Sequence, residues 1–242
     1  MKQSKWTIQS NRPVACRTWQ MMLQGDTAGI VPGQFVEIEV PNLFLRRPIS
    51  VCNVEGNSLT IIYKVVGKGT AVMSQMQVGQ ELDILTGLGN GYDLTQAGDE
   101  VLLIGGGVGV PPLVYAAKCL RRMGKQVRVV MGFGTAEEVF AEQDFAAMGC
   151  RVDVCTMDGS YGKNGLVTDL IDSPTPFYYA CGPLPMLKAL VGKIGTNGQL
   201  SMEERMGCGV GICVGCSIQT TDGVKRVCKE GPVFSAGEII WK

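Results

Sequence analysis

The chain has 242 residues, enough for one or two domains and a small additional module. It carries 22 basic and 22 acidic residues, so its zero formal charge gives no sign of a basic surface that would bind nucleic acid. No histidine is present, which excludes Ser-His-Asp triads, histidine-ligated zinc and Rieske clusters.

The hydrophobic fraction of 45% is sufficient for a core, but no apolar run approaches the roughly 18–20 residues that a membrane span requires. The first residues contain no hydrophobic signal segment, and the chain has ten cysteines. We therefore expect no membrane association, a cytoplasmic location and reduced thiols, some of which bind a cofactor.

Residues 1–97 contain short alternating or β-branched runs, such as 35–40 and 59–66, separated by turn residues. This density of short strands predicts a small β-barrel domain. Two segments within it could contact an anion: the arginine pair of Arg46–Ser50 (RRPIS) and the loop Gly67–Thr70 (GKGT). The arginines could equally mark a solvated strand end, and the loop lacks the full phosphate-loop pattern.

Residues 98–197 show a different pattern, in which strands alternate with helices. Strands are predicted at 101–104, 126–131, 152–157 and 177–181, and helices at 111–120, 136–148 and 184–191. The alternation predicts a parallel α/β sheet.

Three segments of this region lie at predicted strand ends, where ligands of open α/β sheets bind. Gly105–Gly109 forms a strand-to-helix turn, although Val110 occupies the last glycine position of G-x-G-x-x-G, so a merely tight turn is an alternative. Asp158 could accept ribose hydroxyls and would repel a 2′-phosphate. Cys181-Gly182-Pro183 closes another strand, either as a functional thiol or as a buried thiol before a helix.

Residues 198–242 form a third module, rich in glycine and cysteine. Four of its cysteines, Cys208, Cys213, Cys216 and Cys228, have the C-x4-C-x2-C spacing, with a distal fourth residue, of plant-type [2Fe–2S] ligands. Glycines between them allow a tight wrap around a cluster. A structural zinc site or four unrelated buried thiols are the alternatives, although zinc sites usually use two short cysteine knuckles.

Taken together, the segments resemble the ferredoxin–NADP reductase superfamily, which joins a flavin barrel to a nicotinamide-nucleotide domain. The electron-transfer subunits of NAD-dependent (class 1B) dihydroorotate dehydrogenases are the more specific resemblance. It is carried, from about residue 33 to residue 234, by LRRPIS, IIYKVVGKGT, LLIGGGVGVPPL, DGSYG, CGPLPMLKAL and SMEERMGCGVGICVGC followed by VCKEGPVF.

The resemblance implies the cofactors and their residues. FAD would be bound in domain 1–97 by Arg47, Pro48, Ile49, Ser50, Ile62, Tyr63, Lys64, Gly69 and Thr70. NAD would be bound in domain 98–197 by Gly105, Gly106, Gly107, Gly109, Val110, Asp158, Cys181, Gly182 and Pro183, with Cys181 near the nicotinamide. The four cysteines would bind the [2Fe–2S] cluster. Since Ile49 replaces the aromatic residue of the superfamily motif R-x-Y-S, flavin stacking would come from elsewhere, for example Tyr63.

The function implied is electron transfer in de novo pyrimidine (UMP) biosynthesis. Electrons would pass from an FMN-containing dihydroorotate dehydrogenase catalytic subunit through the cluster and FAD to NAD+, within a 2+2 heterotetramer. A close alternative is the small subunit of an NAD(P)H-dependent ferredoxin or sulfur reductase, or of a hydrogenase. A non-catalytic ferredoxin-like carrier is the alternative from another class.

Overall fold

The computed structural model describes residues 1–241. Its first part contains six strands and one helix: β1 (Lys2–Ala15), β2 (Thr18–Gln24), β3 (Phe35–Ile38), β4 (Arg47–Glu55), β5 (Ser58–Lys64), α1 (Lys68–Ser74) and β6 (Glu81–Leu88). The strands close into an antiparallel barrel in the order β1-β2-β5-β4-β3-β6. The barrel predicted for this region is therefore confirmed.

Alternation along the barrel strands places one set of side chains in the barrel interior. Trp6 and Ile8 of β1 are fully buried, and they meet Met21 and Leu23 of β2. Gly25 lies directly against the Trp6 ring, where a Cβ would collide with it. The chain can therefore pass this close to the ring at the end of β2 only because Gly25 has no side chain.

The described residues after the barrel, up to residue 241, add nine strands and three helices: β7 (Glu100–Gly106), α2 (Pro111–Arg122), β8 (Gln126–Phe133), α3 (Glu142–Ala147), β9 (Arg151–Thr156), β10 (Lys163–Asn164), β11 (Phe177–Cys181), α4 (Leu184–Ile194), β12 (Gly198–Ser201), β13 (Ser217–Thr220), β14 (Gly223–Arg226) and β15 (Val233–Ser235). Seven strands form one sheet in the order β10-β9-β8-β7-β11-β12-β15. All neighbours in it are parallel except β12 and β15.

Both faces of this sheet are covered. Val101 and Leu103 of β7 pack on the α2 side, whereas Leu102 and Ile104 pack with Leu187 on the α4 side. The chain order of the strands reverses between β7 and β11. Such a reversal opens a crevice at the carboxyl edge of the sheet, which is where ligands bind in open α/β folds.

The helix predicted over 136–148 is wrong in its first half. Residues 136–138 form a single 3₁₀ turn, and α3 begins only at Glu142. Ala141 between them has a φ of 63°, a left-handed conformation that a continuous helix excludes. Burial of Phe140 against Phe133, with ring centroids 5.4 Å apart, draws the chain inward at this point. Tertiary packing thus overrides helix propensity here.

The cysteine-rich part of the chain shares the large sheet. Leu200 of β12 pairs with Phe234 of β15, and both belong to one core with Cys216 and Cys228. The strands β13 and β14 form a separate hairpin. The barrel, the α/β sheet and the terminal module confirm the predicted fold class. Lys242, the last residue of the predicted third module, lies outside the described residues.

None of the helices in residues 1–241 is both long enough and apolar enough to span a bilayer.

Candidate cofactor sites

A cavity of about 350 Å³ opens between the barrel and the segment that precedes the cysteines. We call it the barrel cavity. Among the residues predicted for FAD, those that line it are Arg47, Pro48, Ile49, Ser50, Ile62, Tyr63, Lys64 and Thr70. This volume lies in the range of small-molecule and cofactor sites. Eight of the nine predicted residues therefore share one cavity.

The ninth residue, Gly69, lies directly behind that wall. A Cβ at Gly69 would collide with Nε of Arg47, so glycine allows the guanidinium to lie across the start of α1. One guanidinium nitrogen donates to the Leu45 carbonyl. Thr70 Oγ1 accepts from the amides of Val66 and Gly67, at 3.0 Å and 3.3 Å, and so holds this loop in place. The result is a positive group fixed at the mouth of the cavity.

Tyr63 does not offer a free ring face. Its side chain is only 2% exposed and packs in the barrel interior. Its hydroxyl donates to Asn11 Oδ1 at 3.0 Å, and burial raises its pKa. The alternation of β5 turns this side chain inward, so Tyr63 contributes little surface to the cavity wall, and its part in flavin stacking stays a prediction.

The opposite wall of the barrel cavity was not predicted. It consists of Ser201, Met202, Glu203, Glu204 and Met206, which lead into the first cysteine. Burial raises the pKa of Glu203, although part of its side chain still contacts solvent. The segment SMEERM belongs to the terminal motif of the resemblance, but its spacing alone contains no sign that it folds back onto the barrel.

A second cavity, of about 440 Å³, lies at the carboxyl edge of the sheet. We call it the sheet-edge cavity. Its walls include Gly106, Gly107 and Pro183 from the predicted set. Its unpredicted walls are mostly apolar and include Gly132, Phe133, Gly134, Glu138, Met157, Val167 and Met186. Glycines form the part of the wall at the ends of β7 and β8, and their lack of side chains leaves room for a flat ligand.

The other predicted residues of the loops after β7 and β11 do not line this cavity, but they pack the two loops together beneath its wall. Gly109 lies so close to the Cys181 carbonyl that a Cβ would collide with it, and a Cβ on Gly105 would be 2.7 Å from Val110 Cγ2. A Cβ on Gly182 would be 2.5 Å from the Met186 methyl. The glycines thus let the loops after β7 and β11 touch across the crevice.

Cys181 is 1% exposed and lines neither cavity. Burial raises its pKa, the Glu203 carboxylate raises it further, and a hydrogen bond with Ser201 lowers it. The group is therefore a protonated thiol at neutral pH and not a thiolate nucleophile. It lies between the two cavities, since its partner Ser201 lines the barrel cavity and Pro183, two residues further on, lines the sheet-edge cavity.

Asp158 follows β9 beside the sheet-edge cavity, whose wall includes its neighbour Met157. Its Oδ1 accepts from Ser160 Oγ at 2.6 Å and from the Ser160 amide at 3.0 Å, and these bonds lower the pKa of Asp158. Lys163, the nearby cation, donates to the Asp169 carbonyl at 2.8 Å. The edge of this cavity therefore presents a fixed, fully exposed carboxylate.

Three of the predicted ligand cysteines, Cys208, Cys213 and Cys216, lie in the loop before β13, which we call the cysteine loop, and Cys228 lies in the turn after β14. Amide–sulfur bonds stabilise both segments. The amides of Ile212 and Cys213 donate to Cys208 Sγ at 3.2 Å and 3.4 Å, and the amide of Cys228 donates to Cys216 Sγ at 3.4 Å. Burial alone would raise the pKa of Cys208, but the surrounding backbone amides lower it to about 6. Donors aimed at sulfur stabilise thiolates, which are the form that binds iron.

All four thiols are close to one another. Cys208 interacts with Cys213, and the pKa of Cys228 is raised to about 12 by burial, by Cys216 and by Cys208. Among the described residues, no three sulfur or carboxylate groups converge on a single metal point. The order of the four cysteines is that of plant-type two-iron ligands and differs from the two short knuckles usual for zinc, so the donor set fits a two-iron cluster better than one zinc ion.

Comparison with known proteins identifies the relatives of this chain. A family model described as the iron-sulfur cluster binding domain of dihydroorotate dehydrogenase B matches residues 203–240. The electron transfer subunit of dihydroorotate dehydrogenase B (NAD(+)) from Bacillus caldolyticus is 44% identical over 252 residues, 98% of each chain. The subunit of the same name from Geobacillus sp. (strain WCH70) is 42% identical over 256 residues, 99% of each.

This chain belongs to the family of dihydroorotate dehydrogenase B electron transfer subunits. A solved structure described as an NADH-dependent reduced ferredoxin-NADP oxidoreductase is also similar, with 28% identity and a TM-score of 0.87 over 98% of this chain and 90% of that one.

Membership of this family confirms the family, the electron-transfer function and the oxidoreductase class predicted from the sequence. Together with the reductase fold it also confirms the cofactor set of an iron–sulfur cluster, FAD and NAD. The residues assigned to each cofactor, the domain boundaries and the 2+2 stoichiometry stay predictions.

Proposed function

We propose that this chain takes electrons from an FMN-containing dihydroorotate dehydrogenase subunit and passes them through a [2Fe–2S] cluster and FAD to NAD+, in cytoplasmic pyrimidine biosynthesis. One observation carries the proposal. The segment 201–206 forms a wall of the barrel cavity and continues directly into the loop of Cys208. A flavin in the barrel cavity would therefore contact the same short segment that holds the cluster.

In this proposal the barrel cavity holds the FAD. Arg47, fixed across Gly69, pairs with the pyrophosphate, because a guanidinium forms strong charge-assisted bonds with phosphate oxygens. Thr70 keeps the loop at the phosphate end in shape through its bonds to two amides. Ser50 faces the isoalloxazine, and Pro48 and Ile49, together with residues 62–64, form the wall along it.

The sheet-edge cavity receives the nicotinamide nucleotide. Gly106, Gly107 and Pro183 line its surface, and the packing of Gly105, Gly109, Val110 and Gly182 holds the two loops together beneath it. Asp158 accepts the ribose hydroxyls at the cavity edge and disfavours a 2′-phosphate. Cys181 lies near the nicotinamide end as a neutral thiol and forms a hydrogen bond with Ser201. We assign it no covalent role.

Cys208, Cys213, Cys216 and Cys228 bind the cluster, which supplies single-electron transfer when bound. The protein contributes amide donors to the sulfurs of Cys208 and Cys216, and these donors raise the potential of a negatively charged cluster. The module boundaries that we propose are 1–97 for FAD, 98–197 for NAD and 198–242 for the cluster.

The assembly that we propose contains two copies of this chain and two copies of the FMN-containing catalytic subunit. The catalytic partner is part of the proposal because the similar proteins from Bacillus caldolyticus and Geobacillus are named as electron transfer subunits of dihydroorotate dehydrogenase B. A ferredoxin-type reductase subunit is the second candidate, since the ferredoxin-NADP oxidoreductase structure has a TM-score of 0.87. The 44% identity to a dihydroorotate dehydrogenase B subunit, against 28% to that structure, favours the first candidate.

The deciding experiment is reconstitution. The isolated chain should oxidise NADH with an artificial acceptor and should show no oxidation of dihydroorotate. Addition of the FMN-containing subunit should create a stable complex with dihydroorotate:NAD+ activity. Oxidation of dihydroorotate by this chain alone, or failure of the FMN-containing subunit to bind it or to support NAD+ reduction, would overturn the proposal.

A further inference from the structure

The charge of the sheet-edge cavity does not match the ligand that we propose for it. Nicotinamide dinucleotides carry a pyrophosphate, and proteins commonly meet its negative charge with arginine, lysine or backbone amides. Among the residues that line this cavity in the described part of the chain, Glu138 is the only charged one. A bare carboxylate in this wall would repel the pyrophosphate.

Glu138 is held at both of its carboxylate oxygens. Oε2 accepts from the Gly134 amide at 3.1 Å, and Oε1 accepts from Lys64 Nζ at 2.5 Å. A Cβ on Gly134 would lie 2.8 Å from Oε2, so the carboxylate lies directly on the backbone of the turn after β8. The bond with Lys64 lowers the pKa of Glu138, which is therefore ionised at neutral pH. Its negative charge is thus present and fixed in position.

The cation that pairs with this carboxylate comes from the other cavity. Lys64, the last residue of β5, lines the barrel cavity and reaches across to the wall of the sheet-edge cavity. The side chains of Lys64 and Glu138 are 31% and 30% exposed, so solvent screens their charges only in part. Two opposite charges in contact largely cancel in their effect on a third charge several ångströms away. While the pair is intact, the wall is therefore close to neutral.

The pair lies where the two cavities adjoin. Gly107 lines the sheet-edge cavity and the next residue, Val108, lines the barrel cavity, so the loop after β7 borders both. Lys64 and Glu138 join the same two walls at a second point. A nicotinamide that reaches a flavin in the barrel cavity would pass between these walls, with its pyrophosphate on the side of Glu138.

Two other lysines near this wall bond to backbone carbonyls. Lys163 Nζ donates to the Asp169 carbonyl at 2.8 Å, and Lys193 Nζ donates to the Thr168 carbonyl at 2.6 Å. Both lysines are exposed, so water and salt screen their charges more strongly. Within residues 1–241, Lys64 is the cation that forms an ion pair with Glu138.

We propose that Lys64 sets the affinity for the nicotinamide dinucleotide by neutralising Glu138, and that Glu138 repels the dinucleotide when the pair is broken. This inference rests on the proposed function, which places the dinucleotide in the sheet-edge cavity. Lys64 acts through Glu138 and forms no bond of its own with the phosphates. The pair therefore decides whether this cavity accepts an anion.

The test is a double-mutant cycle with ADP-ribose, which carries the pyrophosphate but cannot reduce the flavin. Its affinity for the full-length oxidised protein, with flavin and cluster bound, is measured by titration calorimetry. Lys64→Met leaves Glu138 unpaired and should weaken binding about tenfold, whereas Glu138→Gln leaves Lys64 unpaired and should strengthen it about threefold. The variant with both changes should bind as the wild type does. All differences should shrink at high salt.

Lys118→Met is the matched control. Lys118 of α2 lies 3.2 Å from Glu55 of β4, so this pair also joins the barrel to the rest of the chain, but it lines neither cavity. Its loss should leave the affinity for ADP-ribose unchanged. Flavin absorbance shows whether each variant retains FAD. Because Glu138 does not line the barrel cavity, the direction of the Glu138→Gln effect decides the question without Lys64→Met.

Opposite effects of the two single changes would support the inference, since a purely structural pair would weaken binding when either member is replaced. Weaker binding in both single variants would overturn it. A double variant as weak as Lys64→Met would also overturn it, because Lys64 would then contact the phosphates itself. If the wild-type chain neither binds ADP-ribose nor oxidises NADH with a dye, the proposed function fails and this inference with it. If it oxidises NADH but the variants do not differ in these directions, the inference alone fails.

Discussion

Lys64 Nζ lies 2.5 Å from Glu138 Oε1, and this ion pair joins the wall of the barrel cavity to the wall of the sheet-edge cavity. Glu138 also accepts from the Gly134 amide at 3.1 Å through its other oxygen. One carboxylate thus ties a barrel strand to the turn after β8. The pair therefore links the barrel cavity directly to the sheet-edge cavity.

Glu138→Gln should destabilise the protein by about 0.5–1 kcal/mol at pH 7, the range of partly exposed ion pairs. The bond with Lys64 lowers the pKa of Glu138 below its usual 4.5. A carboxyl whose pKa is lowered by folding stabilises above its unfolded pKa and loses that stabilisation as the pH falls through the folded value. Urea denaturation should therefore show a difference between wild type and variant at pH 7 that shrinks below about pH 4.5.

Glu137→Gln is the control for this experiment, since the neighbouring Glu137 is exposed and has no ion pair in the described part of the chain. It should leave the unfolding midpoint within experimental error. An equal loss of stability in both variants would mean that the Lys64 pair has no specific role.

The cysteine loop should hold iron. Protein purified without oxygen should contain two irons and two labile sulfides per chain, and its reduced form should give the S = 1/2 EPR signal of a [2Fe–2S] centre. Cys213→Ser should weaken or abolish that signal, while Cys16→Ser, at an exposed cysteine outside the loop, should not change it. Stoichiometric zinc without iron would refute the assignment.

Arg47→Ala should lower the affinity for FAD about ten- to a hundredfold, because a charge-assisted contact with phosphate contributes about 1.5–3 kcal/mol. Arg122→Ala, at an exposed arginine at the end of α2, is the matched control. Equilibrium dialysis of the apoprotein measures both. Unchanged affinity in Arg47→Ala would place the pyrophosphate elsewhere.

The wild-type chain should prefer NADH to NADPH, because the exposed Asp158 carboxylate repels a 2′-phosphate. Asp158→Asn should narrow that preference by about tenfold in the ratio of kcat/KM values, measured with a dye acceptor. Asp172→Asn, a change at another exposed aspartate, should leave the ratio unaltered. A wild-type preference for NADPH would favour the ferredoxin-reductase candidate.

Local patterns predicted those parts of the sites that lie within one segment. The spacing of the cysteines, the RRPIS segment and the glycine turn after β7 each combine a residue type with a local geometry, and the structure places them at a loop or at a cavity wall. Such features are encoded over a few residues, which is why sequence reasoning could find them.

Features that depend on distant contacts were missed. Nothing in the segment 201–206 indicates that it will fold against the barrel, because that contact is set by the pairing of β12 with β15. The same holds for Ala141, whose left-handed conformation follows from burial of Phe140. The inward direction of Tyr63 required the register of β5 in the closed barrel.

The pairing of β12 with β11 and β15 means that the cysteine-rich part cannot be removed by truncation without damage to the rest of the fold. Cutting the chain after residue 197 would remove two strands of the sheet, leave the backbone edge of β11 unpaired and open one side of the barrel cavity. The cysteine-rich part thus stabilises the sheet and the barrel cavity, in addition to the cluster-binding role that we propose for it. A cluster-free protein should be made by replacing the cysteines one at a time, since truncation would also open the barrel cavity.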